Sequence, residues 1–177
     1  MRRSVGWTVA IVLVLAAIIR WGATQPPITL QTIAPLLLHA DDLPAWYVPG
    51  EITEALEPSY YQRHKIREPV LDVVQHIAPR EGWLLGGSVG VLVYADGTTA
   101  GATFTTLVEE METEGAVQQS SAIGERAVMR AGHETMLPTM RFVRCRAVVH
   151  VTILEDWEVM TNYAQRLDAR LQPVVCP

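Results

Sequence analysis

Hydrophobic and polar positions along this chain switch between a two-residue and a helical period, and the switches mark its elements. From residue 88 to 94, Val89, Val91 and Val93 alternate with Gly90, Leu92 and Tyr94. Both parities are apolar, which predicts a strand covered on both faces. Asp96-Gly97 predicts a turn. Ala100, Phe104, Leu107, Val108 and Met111 then recur at helical spacing, predicting a helix over 98–113 that Gly115 ends. Residues 126–130 predict a strand. Residues 140–143 and 147–154 predict a hairpin connected at 144–146, or one longer strand, with Val149, Val151 and Ile153 alternating against His150, Thr152 and Leu154. A last helix opens at Asp156, whose carboxylate can cap its first turn. It carries Met160, Tyr163, Ala164, Leu167 and Leu171 on one stripe, and Pro173 is expected to close it.

Upstream the pattern is less regular. Residues 32–39 predict a short apolar helix with Pro35 in its first turn, broken at 41–44. Residues 45–48 predict a short strand closed by Pro49 and Gly50. Tyr60 and Tyr61 are expected in a strand, and Val70, Leu71, Val73, Val74 and Ile77 in a strand or a short helix. Strand, helix, two or three strands and helix from residue 86 onward predict an α+β fold: a mainly antiparallel sheet with helices on one face.

The N-terminus has a different pattern. Arg2 and Arg3 precede an apolar run reaching Ile19, and Arg20 and Trp21 spoil the nearest signal-peptidase frames. Residues 4–23 approach the ~20 residues that span a bilayer. Trp7 and Trp21 stand where indoles favour the headgroup zone, and Arg20 can snorkel to the interface. The expected organisation is a signal anchor and transmembrane helix at 1–25, a linker at 26–35 and an extracytoplasmic domain at 36–177. Arg2 and Arg3 keep the N-terminus in the cytoplasm. No Cys follows the run, which excludes lipid attachment there. The alternative is a cleaved signal that releases a periplasmic ligand-binding protein.

The chain has 177 residues, 49% of them apolar, and a net charge of −5. That length suits one domain and is too short for a TIM barrel. Beyond residue 25 it carries 11 basic and 19 acidic side chains, a net of −8. An acidic domain repels phosphate backbones, so nucleic acid is not an expected partner. Outside the cytoplasm the only two cysteines, Cys145 and Cys176, are expected to form a disulfide if the last helix packs back across the sheet.

Candidate chemistry is sparse. Gly86-Gly87-Ser88-Val89-Gly90 matches the G-x-S-x-G pattern, with Asp96 and His133 or His150 downstream in triad order. A nucleophile elbow needs a helix after the Ser, whereas residues 91–94 read as strand. A serine hydrolase on Ser88 is therefore only an alternative. The histidines (His39, His64, His76, His133, His150) show no zincin spacing, although His39, Asp41 and Asp42 form a compact group able to hold a cation. Glu109, Glu110, Glu112 and Glu114 crowd one helix end, as a solvated face or a contact for a basic partner. Trp46, Tyr47, Tyr60, Tyr61 and Trp83 suit core packing or a ligand groove. No catalytic residue, metal site or cofactor is assigned.

Two stretches carry a resemblance. Leu36-Leu37-Leu38-His39-Ala40-Asp41-Asp42-Leu43-Pro44-Ala45-Trp46 resembles the opening of bacterial membrane-anchored extracytoplasmic domains of unknown function. Phe142-Val143-Arg144, residues 148–151, Tyr163-Ala164 and Arg166-Leu167-Asp168 resemble their ends. These include domains similar to the sensor domains of actinobacterial serine/threonine kinases, and the two stretches cover under half of the exported part. The resemblance implies an α+β domain of sensing or binding type without catalytic residues. With no kinase domain in this chain, any sensing output would need a partner. The expectation is a non-enzymatic, single-pass, membrane-anchored protein serving as accessory subunit, scaffold or binding module. Its partners would be the membrane, another membrane or extracytoplasmic protein, or a small ligand.

Overall fold

A computed structural model describes residues 27–55, 57–81, 86–115, 117–120, 122–132 and 136–176. The anchor residues Arg2, Arg3, Trp7, Arg20 and Trp21 lie outside them. Among the described residues no helix is long and apolar enough to cross a membrane.

The elements in chain order are α1 (Leu30–Ile33), β1 (Tyr47–Glu54), α2 (Pro58–Arg63), β2 (Leu71–Pro79), β3 (Gly87–Val93), α3 (Gly97–Glu114), β4 (Val117–Ser120), β5 (Arg126–Arg130), β6 (Thr139–Arg144), β7 (Ala147–Thr152) and α4 (Trp157–Val175), with 3-10 turns at Ala34–Leu36 and Ala40–Asp42. The strands form one sheet in the order β1-β2-β3-β7-β6-β5-β4, and every neighbouring pair is antiparallel. Two meanders thus meet at the β3–β7 seam, where Val89 faces Val151 and Val91 faces Val149.

The sheet is covered on both faces, which corrects the expectation of helices on one. On one face α4 and the segment around α1 pack Ile33, Leu37, Met160, Tyr163, Leu167 and Leu171 against Val89, Val91, Val149, Val151 and Phe142. On the other, α3 packs Phe104, Leu107 and Met111 against Leu92, Val128, Val143 and Val148. Successive strand residues point to opposite faces, so central strands apolar at both parities require a layer on each side.

Other expectations also shift. Ile33 is fully buried, and Ile28 and Leu30 pack beside it, so the packed domain begins within the stretch read as linker. Pro49 and Gly50 do not close β1. They lie inside it, where a register shift between Pro49 and Ile52 accommodates them on an edge strand. Tyr60 and Tyr61 are helical, because Pro58 at the first position suits a helix start. α4 runs past Pro173 to Val175. β4 had no apolar signature because an exposed edge strand needs none.

Three polar devices fix the layers. Gln75, 2% exposed, accepts from the Leu38 amide at 3.0 Å and donates to the Leu38 carbonyl at 2.7 Å, pairing the N-terminal segment with β2. Asp42 takes a bidentate pair from Arg170 at 2.7 and 2.8 Å, a bond from Arg166 at 3.0 Å and the His39 amide at 2.8 Å. Asp168 receives Arg144 at 2.7 and 2.5 Å and the Gly124 amide at 2.9 Å, joining α4 to β6 and the loop before β5. A disulfide joins Cys145, in the β6–β7 turn at φ 49°, to Cys176 just past α4, with Cα atoms 5.2 Å apart.

Two outcomes follow for stability. The bridge closes a 31-residue separation, worth roughly 3.5–4 kcal/mol in the chain-entropy model. Replacing Cys145 and Cys176 together with Ser should lower a urea midpoint accordingly, and reductant should lower it equally in the parent. Burial opposes the Asp42 charge, but hydrogen bonds from Arg170, the His39 amide and Arg166 outweigh it and hold its pKa at about 2. A depressed carboxylate stabilises the fold above its unfolded pKa, so this contribution of about 2 kcal/mol is lost as pH falls from about 4 towards 2. Asp42→Asn should lose at least that much at pH 7 and flatten the acid limb of the melting-temperature profile.

Candidate functional site

An opening lies beside α3 towards the β4 edge of the sheet. It is a groove of about 670 Å³ between α3 and strands β4 and β5. Phe104, Val108 and Val128 supply its apolar lining, and Gln119 and Ser120 of β4 line one side. Arg126 stands at its edge with its guanidinium 4.8 Å from the centroid of the Phe104 ring, donating to the Gly101 carbonyl at 3.0 Å and to Thr105 Oγ1 at 3.2 Å. That charge is therefore held on the wall.

The rim is acidic, and the structure divides the glutamate cluster seen in the sequence. Glu110 accepts from His64 Nδ1 at 2.7 and 2.8 Å, tying α2 to α3. Glu114 pairs with Arg130 of β5. Glu109 and Glu112 are exposed, line the groove and are engaged by no hydrogen bond or ion pair among the described residues. Glu125 also lines the groove while accepting from the Cys145 amide at 2.8 Å. Three carboxylates above an apolar floor suit a cation with an aliphatic stem.

A second cavity of about 350 Å³ lies near the same edge, lined by Gln118, Met129, Pro138 and Trp157, with Glu155 and Asp156 at its rim. Gln118 lines this cavity, whereas Gln119 and Ser120 line the first, so β4 borders both.

The other candidates from the sequence are accounted for structurally. Ser88 lies within β3, opposite His76 and Thr152, and strand follows it. The elbow geometry a serine hydrolase needs is not formed. Gly90 is required because the His150 ring lies across it: a Cβ there would come within 1.9 Å of the imidazole. Burial and the nearby Arg141 push the His150 pKa down to about 4, so the ring is neutral at physiological pH. Asp96 caps α3 through the Thr99 amide at 2.7 Å. His39 bonds the Pro35 carbonyl at 2.9 Å and Asp42 is taken up by arginines, so that group is a structural node. Groups of three or more ligands able to hold a metal are absent among the described residues. His133 and Trp83 lie outside the described residues. Trp46 donates to Glu155 at 3.1 Å, and Tyr47 and Tyr61 are core residues.

One buried ionisable pair was not visible in the sequence. Asp72 is 6% exposed, and its Oδ1 has no hydrogen-bond partner among the described residues. Tyr61 Oη lies 2.6 Å from Asp72 Oδ2 and 3.0 Å from the Ala55 carbonyl oxygen. With Asp72 ionised, Tyr61 must divide one phenolic proton between the two acceptors; with Asp72 protonated, the acid can donate to Tyr61, leaving the phenol to serve Ala55 alone. Burial, partly offset by the Tyr61 hydrogen bond, raises the Asp72 pKa to about 6.

No family model matches this chain, and no curated protein matches it. Among solved structures it is similar to the extracellular domain of PknH from Mycobacterium tuberculosis, with a TM-score of 0.60. The match covers 85% of this chain and 100% of that one at 10% identity, so what the two share is the fold. The resemblance read from the ends of the domain thus has a counterpart in three dimensions, at the level of the fold.

Sequence reasoning missed the groove because its walls come from three elements, one of them without a pattern of its own. It could have suspected Glu109 and Glu112 from their place beside the apolar stripe of α3. For Asp72, a folded pKa raised above the unfolded value means stability present below about pH 4 is lost as pH rises to about 6, by up to about 3 kcal/mol. Asp72→Asn reproduces the donor of the protonated acid. It should raise the melting temperature at pH 7.5 and remove the decline between pH 4 and 6.5 in a thermal-melt series.

Proposed function

We propose that this chain is a non-enzymatic binding or sensing module outside the cytoplasmic membrane. Residues 1–25 hold it there as an uncleaved signal anchor with the N-terminus inside. It acts as an accessory subunit or scaffold, and the groove between α3 and the β4–β5 edge is its contact site. The observation that carries this reading is the match of 85% of the chain to an extracellular domain. The Cys145–Cys176 bridge supports it, since disulfides persist in oxidising compartments. The N-terminal apolar run behind Arg2 and Arg3 supplies the anchor, with Trp7, Arg20 and Trp21 at its borders.

The test is made on the full tagged chain in its membranes. Intact mass after mild detergent extraction should include residues 1–25, and external protease should digest the domain in unbroken spheroplasts. On a native gel the chain should migrate with a larger complex or with added ligand. A mass lacking the N-terminal segment would replace the anchor with a released binding protein. Protection of the domain from protease would overturn the extracytoplasmic reading. Hydrolase turnover lost on Ser88→Ala would overturn the non-enzymatic one.

A further inference from the structure

The two ends of the sheet differ. At one end, β1 has Pro49 and a register shift, devices that blunt an edge against pairing. At the other, β4 pairs with β5 in regular register from Val117 opposite Arg130 to Ser120 opposite Ala127, and it contains no Pro or Lys. Its outer edge has no strand beside it among the described residues.

That open edge has a cavity towards each face of the sheet. Strand side chains alternate between faces, so a strand laid beside β4 would direct successive side chains into the two cavities in turn. The larger has Phe104 and Val108 in its floor and Glu109, Glu112 and Glu125 around it. The smaller offers Met129, Pro138 and Trp157, with Glu155 and Asp156 at its mouth. The first suits a Lys or Arg, whose aliphatic stem lies on the floor while its charge meets the rim. The second suits an apolar side chain.

Building on the binding-module reading, we propose that β4 is a strand-addition site for an extended peptide segment that alternates basic and apolar residues. Main-chain hydrogen bonds to the β4 edge hold the segment, and the two cavities select its side chains. A second copy of this chain is the poorer occupant. Pairing β4 with another β4 would bring the carboxylates of two acidic rims together.

The test uses the full chain in detergent and a fluorescein-labelled nine-residue peptide alternating Lys and Val, followed by anisotropy. Controls are the same peptide N-methylated at alternate amides, and one with Glu in place of Lys. The protein variant is Glu109→Lys with Glu112→Lys, both exposed positions, checked by an unchanged thermal melt. The Lys/Val peptide should bind saturably. N-methylation and the double charge reversal should each weaken it tenfold or more, the Glu peptide should not bind, and amide exchange in β4 should slow on binding. Equal binding of the N-methylated peptide would overturn the proposal, because charge alone would then account for it. A concentration-dependent dimer that slows β4 exchange without peptide would also overturn it, in favour of the second copy. If the peptide fails while the native gel still shows a complex, strand addition falls and the binding module stands. If the domain is protected inside the cell but the purified chain binds the peptide, the reverse holds.

Discussion

The β3–β7 seam is the interaction on which the rest of the structure depends. It joins two meanders far apart in the chain, and it buries Val89, Val91, Val149 and Val151 at near zero exposure. Without it each meander would be left with an open, apolar edge. With it, the sheet has central strands that are apolar on both faces, and a helix must be supplied to each. α3 meets one requirement on its way from β3 to the distant edge strand β4. α4 meets the other at the end of the chain.

Covering a sheet does not fix the cover in place, because apolar packing is non-directional. The fixed points are polar. Asp42 binds Arg166 and Arg170 of α4, Asp168 within α4 binds Arg144 of β6, Gln75 holds the N-terminal segment to β2, and the disulfide holds the end of α4 to the β6–β7 turn. Asp42, Asp168 and Arg130 are each paired, which keeps the desolvation cost of burying them tolerable. Asp72 departs from this rule, and its geometry asks for a proton in place of a counter-charge.

At the β4 end, α3 leaves the sheet edge open between two cavities. The candidate site is thus the part of the molecule that the packing scheme leaves unfilled. Its components were only half legible beforehand. Glu109 and Glu112 could be named from the sequence, but so could Glu110 and Glu114, which turn out to be tied to His64 and Arg130. Spacing along a helix cannot tell a free carboxylate from a paired one, since the partners come from α2 and β5. The Ser88 motif failed for the opposite reason: it is local, and its local context was strand from the start.

The sequence by itself determined the elements whose periodicity is strong: β3, α3, β5 and the start and buried stripe of α4, while leaving the β6–β7 stretch open between a hairpin and one longer strand. The burial patterns of these segments are properties of contiguous residues, and so is the Asp156 cap. Tertiary structure decided which faces the helices cover, that Tyr60 and Tyr61 lie in a helix, that β1 runs through Pro49 and Gly50, and that four residues without an apolar pattern form an edge strand. It also decided which glutamates remain free. In each case the deciding contacts are made by residues distant in sequence, and a one-dimensional pattern records a residue's own polarity and not what stands opposite it.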